Sequence, residues 1–203
     1  MLTECFSSGS KRRYWTKGEK LPGKDIHIVL HGYGQSVDKP NHLPGRLGLP
    51  FVQFIGNFAE DSFLVFPEAG KRKNWRFDKN AYYIRSLLLE VKTDNSSKLF
   101  ISGFSDGARL VLRLLSTSYL VIDGGLLAST PPINKSLEIF SKLLNFFVSV
   151  GEKESILRKK SKVYLDYLKQ CKCATHSIIV EDSGHDWPVK YNDLIMSFLR
   201  EGR

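Results

Sequence analysis

The stretch that most constrains this chain is Leu99-Phe-Ile-Ser-Gly-Phe-Ser-Asp-Gly-Ala-Arg-Leu110. A short apolar run (Leu99, Phe100, Ile101) leads into Gly103-Phe104-Ser105-Asp106-Gly107, and apolar residues then recur at helical spacing: Ala108, Leu110, Val111, Leu112, Leu114 and Leu115. The pattern predicts a strand, a sharp turn and a helix, with G-x-S-x-G on the turn. A turn of that kind lifts a serine out at the end of a sheet in a strained backbone conformation. Flanking glycines leave no Cβ in the way. The helix that starts there aims N–H groups and the positive end of its dipole at any anion formed beside the serine. Without its flanking strand and helix, so short a pattern is no more than a surface loop that matches by chance.

The rest of the chain supplies what such a serine needs. In order, the sequence predicts two short strands across residues 3–16 around Ser8-Gly9-Ser10, as an edge hairpin, and a buried strand Ile26–Leu30 running into His31-Gly32-Tyr33-Gly34. Residues 36–50, broken by three prolines and two glycines, read as loop, and Phe51–Phe58 as a short helix. Phe63–Phe66 is a strand stopped by Pro67, and Asn80–Val91 a helix by its apolar spacing. Beyond the serine turn come a strand near Gly125–Ser129, a helix over about Ser136–Leu144 and a strand Phe146–Val150 ending at Gly151. A long amphipathic helix at about Ser155–Gln170, a strand Ser177–Glu181 and a last helix to about Leu199 complete the chain. Continuous apolar strands alternating with helices are the mark of an α/β protein: a mainly parallel sheet with helices on both faces, here one domain over residues 1–203.

Ligands of such sheets sit beyond the carboxyl ends of the strands, so the residues just after each strand carry the information. After the last strand comes Ser183-Gly184-His185-Asp186-Trp187-Pro188, which puts His185 on a strand-end loop as the base for Ser105. His27, His42 and His176 have no such placement and read as core or surface residues. After the preceding strand come Glu152 and Glu154, and Glu154 is the first candidate for the acid that orients His185, with Glu152 and Asp182 behind it. The backbone N–H groups of Tyr33 and of Asp106, the residue after the serine, are the candidate oxyanion donors, while His31 reads as a brace for its own loop.

These motifs together resemble the α/β-hydrolase superfamily over roughly residues 26–199. Gly103-Phe-Ser-Asp-Gly-Ala108 is similar to the esterase form of the serine elbow, His31-Gly-Tyr-Gly34 to the oxyanion loop, and Val150-Gly-Glu-Lys-Glu154 to the strand-end loop with its acid three residues past glycine. Gly184-His-Asp-Trp-Pro188, with Phe66-Pro-Glu and Trp75 upstream, resembles the phospholipase/carboxylesterase and polyhydroxybutyrate-depolymerase-like esterases. The resemblance implies a serine hydrolase acting on esters or thioesters through an acyl-enzyme on Ser105, with no cofactor or metal. The glutamate departs from the commoner aspartate, and the short segment between Pro131 and Phe146 implies a minimal, capless fold. G-x-S-x-G serves peptide and amide hydrolysis equally, and a non-catalytic binding protein on the same scaffold is the remaining alternative.

Composition narrows the setting. A hydrophobic share of 42% comes with no apolar run near the ~20 residues of a membrane span. The first ten residues hold no apolar signal core, and three cysteines (Cys5, Cys171, Cys173) without framework spacing read as free thiols in a reducing compartment, which predicts a cytoplasmic protein. Cys171-Lys-Cys173 lacks the second ligand pair that a zinc site needs. The net charge of +9 comes with two basic runs, Lys71-Arg72-Lys73 near the expected site and Arg158-Lys159-Lys160 with Lys162 on the helix after Glu154. A solvated basic surface accounts for it, and steering of an anionic substrate, an acidic acyl carrier or an anionic lipid is the functional alternative. No nucleic-acid-binding motif accompanies the charge.

Overall fold

The structure, a computed structural model, describes residues 2–34, 62–70, 74–76, 78–92, 94, 96–117, 122–131, 144–171 and 173–201. The expectations for residues 36–50, 51–58 and 71–73, and for all of 136–144 except Leu144, fall outside them.

Eight strands form one sheet: β1 (Thr3–Phe6), β2 (Arg13–Lys17), β3 (Asp25–Leu30), β4 (Ser62–Pro67), β5 (Leu99–Phe104), β6 (Gly124–Ala128), β7 (Asn145–Gly151) and β8 (Ala174–Val180). Their spatial order is β1-β2-β4-β3-β5-β6-β7-β8. The β1–β2 hairpin joins β4 antiparallel, and every pair from β4 to β8 is parallel. Helices α1 (Asp78–Val91), α2 (Asp106–Thr117), α3 (Ser155–Gln170) and α4 (Asn192–Glu201) flank the sheet. This is a minimal, capless α/β-hydrolase fold, with no cap domain among the described residues.

Side chains alternate across each strand, so neighbouring residues enter different cores. Ile28, Ile101, Leu127 and Val148 pack with α1, α2 and α3, through Ile84, Leu88, Val111, Leu115, Tyr164 and Leu168. Their neighbours Val29, Phe100, Leu126 and Phe147 join Ile195, Met196 and Leu199 of α4 on the opposite face. Burial on both faces is why these strands read as unbroken apolar runs. A polar pair lies within the core: the Ser102 hydroxyl accepts the Leu126 N–H (3.0 Å) and is hydrogen-bonded to His27 Nε2 (2.8 Å). Burial first, and the charge of Arg200 second, push the His27 imidazole down to about 3, so it remains neutral.

Several boundaries differ from the sequence expectation: α1 starts at Asp78, two residues early, and β4 runs through Pro67. β5 runs on through Gly103 to Phe104, because Gly103 pairs with both Leu30 and Leu127. β8 begins at Ala174, three residues early, since Ala174–His176 pair in register with Asn145–Phe147 although only the small Ala174 among them is apolar. Among the described residues, no helix is long and apolar enough to cross a membrane.

Candidate active site

Ser105 lies between the end of β5 and the start of α2, with φ +52°, in the left-handed region that a non-glycine residue enters only at a cost of about 1–3 kcal/mol. The surroundings hold it there. Its N–H donates to the Ala128 carbonyl (2.9 Å) and its carbonyl accepts from Arg109 N–H (3.2 Å). The two glycines of the motif are required by close approach. A Cβ on Gly103 would lie 2.5 Å from the Ala108 nitrogen, and one on Gly107 would overlap the Leu30 and His31 carbonyls. Glycine at both positions lets α2 seat directly on the ends of β3 and β5.

Asp106 opens α2, where N–H groups lack intrahelical acceptors. Its buried carboxylate accepts the Trp75 N–H (2.7 Å) and pairs with Arg109 (3.0 Å) and Arg76 (3.5 Å). The Trp75 indole N–H donates in turn to the His31 carbonyl (2.7 Å). His31 Nδ1–H donates to the Gly32 carbonyl (2.7 Å), which leaves Nε2 to accept the Ala69 N–H (3.2 Å). His31 thus spans its own loop and the loop after β4. Both candidate oxyanion donors, on Tyr33 and Asp106, belong to backbone fixed by this one buried network, and the Tyr33 ring itself is exposed.

The other half of the site rests on turns. β7 ends at Gly151 and α3 starts after Glu154, the residue at its N-cap position. Glu154 makes no side-chain cap to the helix. Its Oε2 instead accepts from Ser129 Oγ (2.7 Å) and Gly151 N–H (2.8 Å), and its Oε1 lies 2.5 Å from His185 Nδ1. A capping position turned away from its helix is the kind of local inconsistency found where a side chain has other work. His185 Nε2 lies 2.8 Å from Ser105 Oγ, and its ring packs on Phe104 at 4.8 Å between centroids. The histidine loop is tied to the acid turn by Lys153 N–H to the Ser183 carbonyl (2.9 Å) and by Asp182 N–H to Glu152 Oε2 (3.0 Å).

The structure therefore brings Ser105, His185 and Glu154 into one hydrogen-bonded line. Glu152 accepts the Asp182 N–H and Asp182 pairs with Lys153, and among the described contacts neither carboxylate meets His185. Two contributors had no signal in the motif search. Ser129, with φ +47° just past the end of β6, fixes the Glu154 carboxylate; the sequence reading placed it inside the strand and gave it no role. Phe104 seats the imidazole and was visible only as the variable residue of G-x-S-x-G.

Among the described residues, no group of three or more His, Cys, Asp and Glu side chains is placed to hold a metal. The three cysteines are unpaired, and burial first, then Cys171, push the Cys173 thiol up to about 11, far from a reactive thiolate. The arrangement can polarise a serine hydroxyl, accept its proton and stabilise the imidazolium that results.

Comparison with known proteins adds the fold's relatives. No protein-family model matches the sequence, and no curated protein sequence matches it significantly. Solved structures do match. A Francisella virulence factor, BioJ, aligns with a TM-score of 0.73 at 14% identity over 99% of this chain and 84% of its own. The esterase PE8 aligns with a TM-score of 0.64 at 18% identity over 92% and 98%. An uncharacterized protein from Bacillus cereus gives 0.67 at 14% identity, over 88% of this chain, which spans only 60% of that protein's length. Some of the matching structures are described as an esterase or a hydrolase, and at these identities what the likeness establishes is the α/β-hydrolase fold.

Proposed function

We propose that the chain is a serine hydrolase of the esterase or thioesterase type, cleaving its substrate through an acyl-enzyme on Ser105. The observation that carries this is the line Ser105 Oγ, His185 Nε2 and Nδ1, Glu154 Oε1, with contacts of 2.8 and 2.5 Å, beginning at a serine in a left-handed conformation. Ser105 attacks the acyl carbonyl as His185 takes its proton, and the imidazolium stays paired with Glu154. His185 then protonates the departing alkoxide or thiolate. Water repeats the attack on the acyl-enzyme, with His185 again as base, to release the acid. The oxyanion of each tetrahedral intermediate is received by the N–H groups of Tyr33 and Asp106, each such donor contributing about 3 kcal/mol. Acyl transfer to water needs no cofactor. The substrate in this reading is a small or carrier-bound acyl ester, and three unpaired cysteines support a cytoplasmic setting.

A fluorophosphonate probe should label the wild-type protein and leave Ser105→Ala unlabelled, and the variant should lose p-nitrophenyl ester hydrolysis while its circular dichroism is unchanged. Comparable hydrolysis by the variant would overturn the assignment. A panel of esters, thioesters and anilides with one acyl group should rank the anilide last; an anilide turned over fastest would make the protein an amidase.

A further inference from the structure

The far edge of the sheet carries a groove that the proposed chemistry does not use. It lies between α3 and β8, the outermost strand, and encloses about 740 Å³. That is within the roughly 300–1,000 Å³ range of small-molecule sites. Neither Ser105 nor His185 lines it.

Its floor is a two-by-two patch, Val148 beside Ser177 and Val150 beside Ile179, each pair in register across β7 and β8. α3 lies over both β7 and β8 and covers Val148 and Val150, so the open part of the floor is Ser177 and Ile179 on β8. Of the helix, only Ser161, Tyr164 and Leu168 are buried, and Ile179 on β8 remains 48% exposed. One wall is α3 itself, presenting Leu165 low down and Arg158, Lys159 and Lys162 above. No carboxylate lines the groove among the described residues. The helix as a whole carries five basic residues, Arg158, Lys159, Lys160, Lys162 and Lys169, against one acid, Asp166.

We propose that this groove binds a single-chain anionic amphiphile, a long-chain carboxylate. Its head sits between Arg158 and Lys162, one helical turn apart on the same face of α3, and its chain lies along Leu165 and the exposed Ile179. The observations select this occupant over the others. The groove is concave, so a flat bilayer does not reach its floor. A second copy docked there brings one cationic wall against another. A peptide strand added to β8 uses the strand's free backbone edge and leaves the floor open. An apolar strip, Leu165 and Ile179, beneath a wall whose charges are all positive is complementary in both respects to a chain with an acidic end.

The test titrates cis-parinaric acid, a fluorescent long-chain carboxylate, into the full-length protein at low salt and below its micelle concentration. The expected result is saturable one-to-one binding, with the methyl ester of the same chain at least ten-fold weaker. The double variant Arg158→Glu, Lys162→Glu should bind at least ten-fold more weakly, and Ser177→Trp, which fills the floor, should do the same, both with unchanged circular dichroism. Ser105→Ala should bind as wild type does, which separates this site from the proposed catalytic one. The proposal is overturned by the absence of saturable binding or by affinity that neither groove variant changes. It is equally overturned by anionic vesicles or an acidic peptide that occupy the protein without being displaced by the carboxylate.

Discussion

Ser105 and His185 sit 2.8 Å apart, yet different kinds of structure hold them. On the serine side every residue of β5 is buried, and Asp106, Trp75 and His31 link the elbow to two neighbouring loops through buried hydrogen bonds. On the histidine side the last strand is mostly exposed, the loop after it is tied by a few exposed backbone bonds, and the His185 side chain is 48% exposed. A strained serine persists only where its surroundings over-determine it, and the buried network does that. In the proposed mechanism His185 shuttles a proton, which needs a fixed orientation but not a fixed loop. On this side the orientation comes from the side chain of Glu154, which is nearly inaccessible and gripped by Ser129 and Gly151. The division predicts that damage to the serine side appears as lost stability, and damage to the histidine side as lost turnover.

Glu154→Gln tests the histidine side and has the largest expected effect. The amide keeps the size of the side chain but gives up the negative charge facing Nδ1. Loss of an orienting carboxylate costs about 10⁴ in kcat in the trypsin case, so kcat should fall by about 10²–10⁴ here, with KM little changed. The melting temperature should shift little, because the turn retains its backbone hydrogen bonds. A variant that unfolds while its remaining folded fraction stays active would reverse the proposed division.

Asp106→Ala tests the serine side. It strands the Trp75 N–H and removes the buried partner of Arg109, whose guanidinium is itself partly solvated. Breaking a fully buried pair costs about 3–5 kcal/mol, and the solvation of Arg109 brings the expectation to about 3 kcal/mol, measured by urea unfolding. Glu154→Ala should lose less than half of that. Equal losses would mean that the two sides are not built differently after all.

What the sequence disclosed follows the same line. The central strands were legible because burial on both faces leaves continuous apolar runs, and the elbow because two close backbone approaches demand glycine at Gly103 and Gly107. The start of β8 was not legible, since an edge strand held by backbone pairing to β7 needs no apolar signature. The Asp106 network was hidden because its members, spread from His31 to Arg109, are joined only by the fold. Glu154 stood out from Glu152 by its distance from the strand-end glycine, but the reason it is held, Ser129, lies on another strand.

Buried in the serine-side half of the sheet, His27 offers a third and smaller test. Its folded pKa, about 3, is depressed below the model-peptide 6.5, so between those values the unfolded chain binds a proton that the native protein refuses. Its contribution is therefore fully present above pH 6.5 and is lost as pH falls toward 3. Relative to a His27→Gln variant, which cannot titrate there, wild type should lose about 2 kcal/mol between pH 7 and pH 5. Urea unfolding at the two pH values checks this, and parallel losses in both proteins would show that His27 is protonated within the fold.

The smallest effect is expected at Glu152, and it sharpens the assignment of the acid. Glu152 lies two residues from Glu154, is exposed, and accepts the Asp182 N–H through Oε2 at 3.0 Å. That bond steadies the turn at Asp182, whose φ of +52° is itself left-handed, at the entrance to the histidine loop. Glutamine at 152 keeps an acceptor oxygen for the same N–H, so Glu152→Gln should stay within a few-fold of wild type in both kcat and KM. Glu152→Ala removes the acceptor, and the N–H it leaves turns to solvent, at a cost of about 1 kcal/mol at most. Its effect should be a modest fall in kcat/KM of less than about ten-fold, through a looser histidine loop. The contrast between neighbours is the measurement that matters. If Glu152→Gln falls as far as Glu154→Gln, the orienting charge is shared along the turn; if it alone falls, Glu152 is the acid and the carboxylate at 2.5 Å from His185 is not.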